Sequence, residues 1–559
     1  MKRQLKKQGI IQLILAVAAL IFINVIAGFV FTRFDLTSEK RFSLAPSSKE
    51  LLRKLDDVIY VKIYLDGDLP PGFKRLKNAT KEVLDEFRVY AGSNVEYQFI
   101  DPSAIADKTE RNKLYQQLAQ KGLQPTNLEE RQKGGTSQKI IFPGAILNYR
   151  AEEIPLQLLK SRMGTGSEEM LNNSIEGLEY DFIKGIKSIT NNIKTRIGFL
   201  QGQGELNTKQ ITDAARSLQE SYQVDTVSIS GQLDALKKFK TLIIAKPDSA
   251  FSEKDKFVID QFIMKGGRVL WLIDNMQIDL DSLSATSTNV AIAKELNLDD
   301  QLFRYGVRIN YDLVMDMQAA PIPVVTGQVG NQPKTELFPW YFSPLINPSS
   351  ANPIVHNLNA IKFDFAGTVD TIETDSVKKT ILLSTSSYSK IMLAPVRVSL
   401  NILKDDPDPK LFNMPHLPLA VLLEGNFKSN FKNRIPEAIA TSSDIGFMQS
   451  SVSTKMIVVG DGDVAASYVS KKGTIYPLGY DRFTQQTYGN RNFILNCIDY
   501  LCDDSGLMTL RAKEFKLRLL DKSKTENSSL KWMNTFLPVL LIMLYGFFHV
   551  MIRRRKYEK

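Results

Sequence analysis

The sequence predicts an α/β protein carried between two terminal transmembrane helices, and three observations predict it. Uncharged stretches of 22 and 21 residues, 10–31 and 532–552, lie at the two ends of the 559-residue chain. Between them, segments rich in β-branched and aromatic residues alternate with segments of helical spacing, the pattern of strands separated by helices. Two of those strands, 241–245 (TLIIA) and 268–274 (RVLWLID), are almost continuously apolar. Strands of that kind are buried on both faces, so a doubly wound and largely parallel sheet is expected.

As helices, the two uncharged stretches would each span about 30 Å, the thickness of a bilayer core. Lys2, Arg3, Lys6 and Lys7 precede the first, and Arg553, Arg554, Arg555 and Lys556 follow the second. Lysine and arginine concentrate on the cytoplasmic side of membrane helices. Both termini are therefore expected in the cytoplasm of a bacterial cell, with residues 32–531 in the periplasm. A cleaved signal peptide is the rival for 10–31, but the run exceeds a usual h-region and no clear A-x-A site follows it. The expected domains are 1–34 (first helix), 35–191, 192–515, and 516–559 (second helix and basic tail).

The net charge of +10 is then mostly topology, because each end contributes four and only two remain for 32–531. A near-neutral bulk lacks the basic face that a nucleic-acid partner needs, so the lipid bilayer is the expected partner. A composition of 43% hydrophobic and 24% charged residues excludes wholesale disorder. Two cysteines exclude a disulfide-built scaffold.

Within 35–191, 58–65 (VIYVKIYL) reads as a strand, and 74–90 as a helix with Leu76, Val83, Leu84 and Phe87 on one side. A strand at 94–101, a helix at 107–120, strands at 139–149 and 153–159, and a helix at 171–189 follow. That order, βαβα then ββα, is thioredoxin-like. The Cys-x-x-Cys of redox chemistry is absent from it, so an inert fold is expected. The polar segment 124–138, with Gly134-Gly135, reads as a loop or hairpin excursion.

The second unit opens with a strand at 195–200 and a helix at 208–222. Strands at 223–228 and 241–245 come next. Ser252-x-x-Asp255 then starts a helix that places Val258, Ile259, Phe262 and Ile263 on one face. Gly266-Gly267 ends that helix ahead of 268–274. In such sheets ligands sit beyond the carboxyl ends of the strands. Those ends carry Gly202, Gln203, Gly204 and Glu205, then Lys246 and Asp248, then Asp274 and Asn275, a candidate polar crevice. The alternative is that the glycines only turn the chain and the carboxylates cap helices. Residues 289–316 read as helix and then strand, and 317–360, rich in Pro, Asn and Ser, as a loop. Its aromatic run 338–342 (FPWYF) is either a partner surface or a packed cover for the sheet. Strands at 380–384, 420–424 and 455–460 and a helix from Asn490 complete the unit.

Sequence motifs for chemistry are missing. There is no Gly-Lys-Ser/Thr phosphate loop, no Gly-x-Ser-x-Gly elbow and no His-Glu-x-x-His, so neither a cofactor nor a metal is expected. Cys497 reads as a small core residue, and Cys502 lies about 140° round the helix from it, out of easy reach.

The segment Phe34-Asp35-Leu36-Thr37-Ser38-Glu39-Lys40-Arg41-Phe42-Ser43-Leu44 resembles the opening of the gliding-motility auxiliary proteins of ABC transporters, the GldG type. Phe199-Leu200-Gln201-Gly202-Gln203-Gly204-Glu205 is similar to that family's Gly-His-Gly-Glu turn, with Gln203 where histidine is common. Ala420 to Gly425, Val458-Val459-Gly460-Asp461 and Asn490-Arg491-Asn492-Phe493 keep the motif order over nearly the whole chain. The resemblance implies a membrane subunit acting with an ABC ATPase and a multi-spanning permease. It also implies a GIFT-type ectodomain related to the flavodoxin and glutamine-amidotransferase sheets. Neither Cys497 nor Cys502 stands where an amidotransferase nucleophile would, so catalysis is not carried over. The expected function is a non-catalytic auxiliary subunit linked to gliding motility. The alternatives are a membrane-tethered amidotransferase-like hydrolase and an envelope scaffold that binds peptidoglycan or gliding proteins.

Overall fold

The computed structural model describes residues 43–512, apart from 133–134, 161–164, 192–193, 282, 284–286, 331, 349–351, 405–406 and 444. It also describes residues 11, 14–15, 17–22 and 528–557. Residues 43–513 form one compact unit, and 1–42 with 514–559 form another.

In the second of these, α9 runs over Ser528–Tyr557 with Pro538 inside it. Its stretch Thr535–Ile552 has a mean hydropathy of 2.1 and no buried residue, and is long and apolar enough to cross a membrane. The described residues of the first uncharged stretch are helical and exposed. Most of that stretch, and most of the 34–44 motif, lie outside the described residues.

The larger unit begins with α1 (Pro46–Arg53). Then come β1 (Ile59–Ile63), α2 (Pro71–Ala91), β2 (Val95–Phe99) and α3 (Lys108–Gln120). After them follow β3 (Thr126–Gln132), β4 (Gly135–Ile141), β5 (Gly144–Tyr149), β6 (Glu152–Gln157) and α4 (Ser167–Thr190). The first sheet has the order β2-β1-β5-β6, with β1 parallel to β2 and antiparallel to β5. The expected single strand at 139–149 is two, because Phe142-Pro143 breaks it and Pro143 cannot donate to a ladder. β3 and β4 make the 124–138 excursion a hairpin. The core under this sheet joins Ile59, Val61, Ile63 and Leu147 to Leu84, Phe87, Phe182 and Ile186. Leu507, Met508 and Leu510 pack into the same core. The chain therefore returns to its first sheet after completing the second.

The second sheet contains β7 (Arg196–Leu200), β8 (Gln223–Val227), β9 (Thr241–Ala245) and β10 (Arg268–Leu272). To these it adds β11 (Val377–Ser384), β12 (Pro418–Gly425) and β13 (Thr454–Val459). Its order is β11-β12-β13-β10-β9-β7-β8. The five strands from β13 to β8 are parallel, whereas β12 and β11 are antiparallel additions. Numbered along the chain, the parallel strands lie 2-1-3-4-5, a common order for doubly wound sheets. Alternation explains their continuous apolarity. Ile243, Leu270, Leu272 and Ile457 face one core, with α5 (Thr208–Gln219) and α8 (Asn490–Cys502). Leu242, Ile244, Trp271 and Val458 face the other, with α6 (Glu253–Met264) and α7 (Asp299–Tyr305). The Ser252 hydroxyl caps α6 by accepting from the Asp255 N–H at 3.1 Å, as its spacing predicts.

Between β10 and β11 lies an insert that the sequence misplaces. The reading of 289–316 as helix and then strand misses a first strand, Thr288–Ala293, whose alternating small and β-branched residues fit a pleat. The helix follows only as α7, with strands at Val307–Ile309 and Asp312–Asp316 after it. The expected loop 317–360 is largely a ribbon of two strands, Ala319–Val329 and Gln332–Ile346. Pro321 stands opposite Pro339, while Pro323, Pro333 and Pro344 face Leu337, Gln328 and Ala319. Trp340, Tyr341 and Phe342 are buried, but in a core of the insert's own with Leu313, Met315, Phe365 and Val398, so the aromatic run is packed without covering the second sheet.

Candidate functional site

β7 and β9 lie side by side where the strand order reverses. The chain leaves β7 for the β8 edge and returns to β7's other flank as β9. In open sheets the crevice outside the carboxyl ends at such a reversal is where ligands collect.

The turn after β7 uses Gly202 and Gly204 at φ 134° and 74°, backbone that favours glycine. One Glu205 carboxylate oxygen accepts from the N–H groups of Gly202 (2.9 Å) and Gln203 (2.8 Å). The Gln203 carbonyl accepts from Asp248 and Ser249 at 2.8 and 2.9 Å, and its amide nitrogen lies 3.4 Å from Asp255 Oδ2. Both side chains are buried. These four residues form a clasp that ties β7 to the loop after β9, with Glu205 as its internal acceptor. Glu205→Ala is expected to lower stability by about 1–2 kcal/mol, because the buried Gln203 N–H and the part-buried Gly202 N–H lose their partner. Glu205→Gln, which keeps one carbonyl oxygen for both N–H groups, should cost less than half of that. Thermal unfolding of the two variants checks this, and equal losses would mean that the charge, not the oxygen, matters.

Lys246 follows β9 in the left-handed region, at φ 55°. Its Nζ lies 2.5 Å from Asp463 Oδ1 and 3.3 Å from Asp274 Oδ2. The second Asp274 oxygen accepts from the Gly462 N–H. A Cβ on Gly462 would stand 2.5 Å from the Cβ of Lys246, so this close approach requires glycine. Asp461 is fully buried and accepts from the N–H groups of Asp364 (2.6 Å) and Asp463 (2.7 Å). Burial, then the neighbouring Asp274, Asp463 and Asp364 carboxylates, push its pKa well above the ordinary carboxylate range. Burial would lower the Lys246 pKa, but Asp463 and Asp274 outweigh it and raise it.

Beside this network opens a cleft of about 550 Å³. Lys246 and Asp463 are on its wall, and so is a second ion group. There Lys362 Nζ lies 3.0 Å from Asp364 and 3.5 Å from Asp481, and Arg482 pairs with Asp281 at 2.6 Å. Burial opposes the charge on Lys362, and Asp364 and Asp481 raise its pKa in spite of it. Among the described residues, no group of three or more His, Cys, Asp or Glu is placed to hold a metal ion.

Of the residues predicted to form the crevice, Lys246 lines the cleft and Asp274 is paired with it. Gly202, Gln203, Gly204 and Glu205 make the clasp. Asn275 ties in the insert, its amide donating to the Ile309 carbonyl at 2.7 Å. The sequence reading missed Lys362 and Asp364, which the insert delivers, and the segment 464–489. The latter carried a signal, since Tyr468, Tyr476, Tyr480, Phe483 and Tyr488 fall within 21 residues of otherwise polar, loop-like sequence. Both cysteines are free thiols. Cys497 is in the core, and burial pushes the Cys502 thiol up to about 11.

An uncharacterized protein of Borreliella burgdorferi is 21% identical to this chain over 461 residues, covering 81% of this chain and 82% of its own. A solved structure, the mmIFT52 N-terminal domain, aligns over 56% of this chain and 99% of its own, with a TM-score of 0.32 and 14% identity. Residues 38–148 match a domain of unknown function. Residues 194–497 match the model of an ABC-type uncharacterized transport system. That match covers more than half of the chain and includes every strand of the second sheet and the cleft beside it. The chain therefore belongs to the auxiliary family of ABC-type uncharacterized transport systems.

Proposed function

We propose that this protein is a non-catalytic, membrane-anchored auxiliary subunit of an ABC transporter linked to gliding motility, with residues 32–531 as its periplasmic ectodomain. The observation that carries the reading is the family match over 194–497 in a chain that also holds the apolar helix Thr535–Ile552. The basic residues Arg553, Arg554, Arg555 and Lys556 directly after that helix support a cytoplasmic C-terminus. Lys2, Arg3, Lys6 and Lys7 support the same side for the N-terminus, with 10–31 as the other anchor of a two-pass protein in the bacterial inner membrane. The order β2-β1-β5-β6 supports a thioredoxin-like first domain, and the 2-1-3-4-5 parallel order supports a flavodoxin-like, GIFT-type second one. A non-catalytic role is supported by Asp274, Asp364, Asp463 and Asp481, which are held in ion pairs with Lys246 and Lys362.

An ABC ATPase and a multi-spanning permease are the partners of this reading. Affinity isolation of the tagged full-length chain from gently solubilised membranes should recover both. Recovery of this chain alone across several mild detergents would overturn the reading.

A further inference from the structure

The cleft beside Lys246 has a second wall that the transporter reading does not use. The chain between Asp463 and Asn490 builds it, with little regular structure beyond the isolated bridges Val469↔Ile475 and Tyr480↔Thr487. Tyr468 and Tyr480 lie on this wall with rings 6.4 Å apart, and Tyr476 stacks on Tyr480 at 4.5 Å and 17°. The Arg482 guanidinium sits 5.4 Å from the Tyr468 ring. The three tyrosines are half-buried and pack on one another, with Tyr468 and Tyr480 at the cleft wall and Tyr476 behind them.

The charges of the cleft point to the class of ligand. Four cations and five carboxylates line it, so its field is close to balanced. Lys246, Lys362 and Arg482 are each already paired with aspartates at 2.5–3.5 Å. Lys471, the fourth cation, is exposed and has no ion pair among the described residues. A phosphorylated or carboxylated ligand would therefore meet one free ammonium and five carboxylates, and would have to compete with those aspartates for the rest. A neutral ligand faces no such conflict, since paired carboxylates keep free lone pairs and paired ammonium groups keep free N–H donors. Ser467 supplies an independent sign. It lines the cleft at 3% exposure, and its hydroxyl has no hydrogen-bond partner. A buried hydroxyl without a partner is costly unless a ligand or water satisfies it.

We infer that this cleft binds a neutral carbohydrate. A pyranose has one C–H-rich face that suits the face of a tyrosine ring, and a rim of hydroxyls that donate to carboxylates and accept from ammonium groups and Ser467. The inference concerns what the ectodomain holds and stands whether or not the chain works with a transporter.

The test uses the full-length chain in nanodiscs free of glycosidic detergent, with calorimetric titration of defined oligosaccharides. Chitotetraose represents a wall-type amino sugar, cellotetraose and maltotetraose represent plain glucans, and inorganic phosphate and a tripeptide are the charged arms. Binding of at least one neutral sugar is expected, and which one binds identifies the source. Tyr480→Ala should weaken it about tenfold, while Tyr480→Phe, which keeps the stacking face, should bind within about threefold of the parent. No binding by any sugar, tighter binding of phosphate or peptide, or equal loss in the Ala and Phe variants would each overturn the inference. Thermal unfolding of both variants verifies that the fold is intact.

Discussion

Asp260→Ala is expected to destabilise the larger unit by about 3–5 kcal/mol, the cost of stripping a buried network of its central acceptor. Asp260 lies in α6 with no exposure. It accepts from the Ser429 hydroxyl at 2.6 Å, the Asn430 N–H at 2.9 Å, the Tyr305 hydroxyl at 2.8 Å and the Gln261 amide at 3.0 Å. These donors come from α6, α7 and the loop after β12, so one side chain fastens three segments. Burial raises the Asp260 pKa, and the four hydrogen bonds oppose that rise without cancelling it. A carboxyl whose folded pKa is raised gives its full stabilisation below its unfolded value of about 4 and loses part of it as the pH climbs through the folded value. Asp260→Asn keeps one oxygen for two of the donors but turns an NH2 toward the other two, so it should cost less than Asp260→Ala without being neutral. Its cost relative to the parent should shrink as the pH rises from about 4 toward 7. Denaturant unfolding at several pH values measures both. A loss below about 1 kcal/mol for the alanine variant would show that the loop docks by other contacts.

The same residues show why some of this molecule was legible in its sequence and some was not. TLIIA and RVLWLID could be read because both faces of those strands are covered, and no polar residue interrupts the run. The Ser252 cap was legible because its partner is three residues away. In contrast, TNVAIA at Thr288–Ala293 is short, and its pairing with the strand Val396–Ser399 lies a hundred residues downstream. Local spacing cannot register such a partner, so the helical reading missed this strand. The cleft obeys the same rule. Lys246 is visible as the residue after a strand, but the Asp463 that pairs with it is 217 residues further along the chain. Lys362 and Asp364 reach the cleft only through the insert, whose long ribbon the sequence reads as loop because of its prolines. The carboxyl-end rule located the neighbourhood of the cleft, and it could not tell a clasp such as Glu205 from a wall residue such as Lys246. That difference depends on which backbone N–H groups lie within reach after folding.

Lys246→Met carries the second large effect, because among the described residues it removes the only cation paired with both Asp274 and Asp463. In the folded protein the ammonium is held between them, with buried Asp461 accepting from the backbone N–H of Asp463. Without it, three carboxylates crowd the same carboxyl-end turn, and Lys362, engaged with Asp364 and Asp481, belongs to the neighbouring group. Deleting one partner of a fully buried pair costs about 3–5 kcal/mol. Lys246 and Asp463 are about a quarter exposed on the cleft wall, so about 1–3 kcal/mol is expected, still more than a surface pair is worth. The methionine stem fills the space of the lysine stem, so lost packing contributes little. The pH dependence separates charge from shape. Burial already raises the pKa of Asp463, with Lys246 the main opposing influence and Asp274 adding to the rise. Removing that influence moves the folded pKa of Asp463, already raised, further above its unfolded value of about 4. Raised carboxyl pKa values make the folded state bind more protons than the unfolded state, so stability must increase as the pH falls from 7 toward 4. Lys246→Met should therefore regain much of its lost stability near pH 4.5, while the parent protein gains less over the same interval. Thermal unfolding at pH 7 and pH 4.5 for both proteins measures this crossing. A deficit that is the same at both pH values would assign the loss to packing and remove the ion network as the organiser of the cleft.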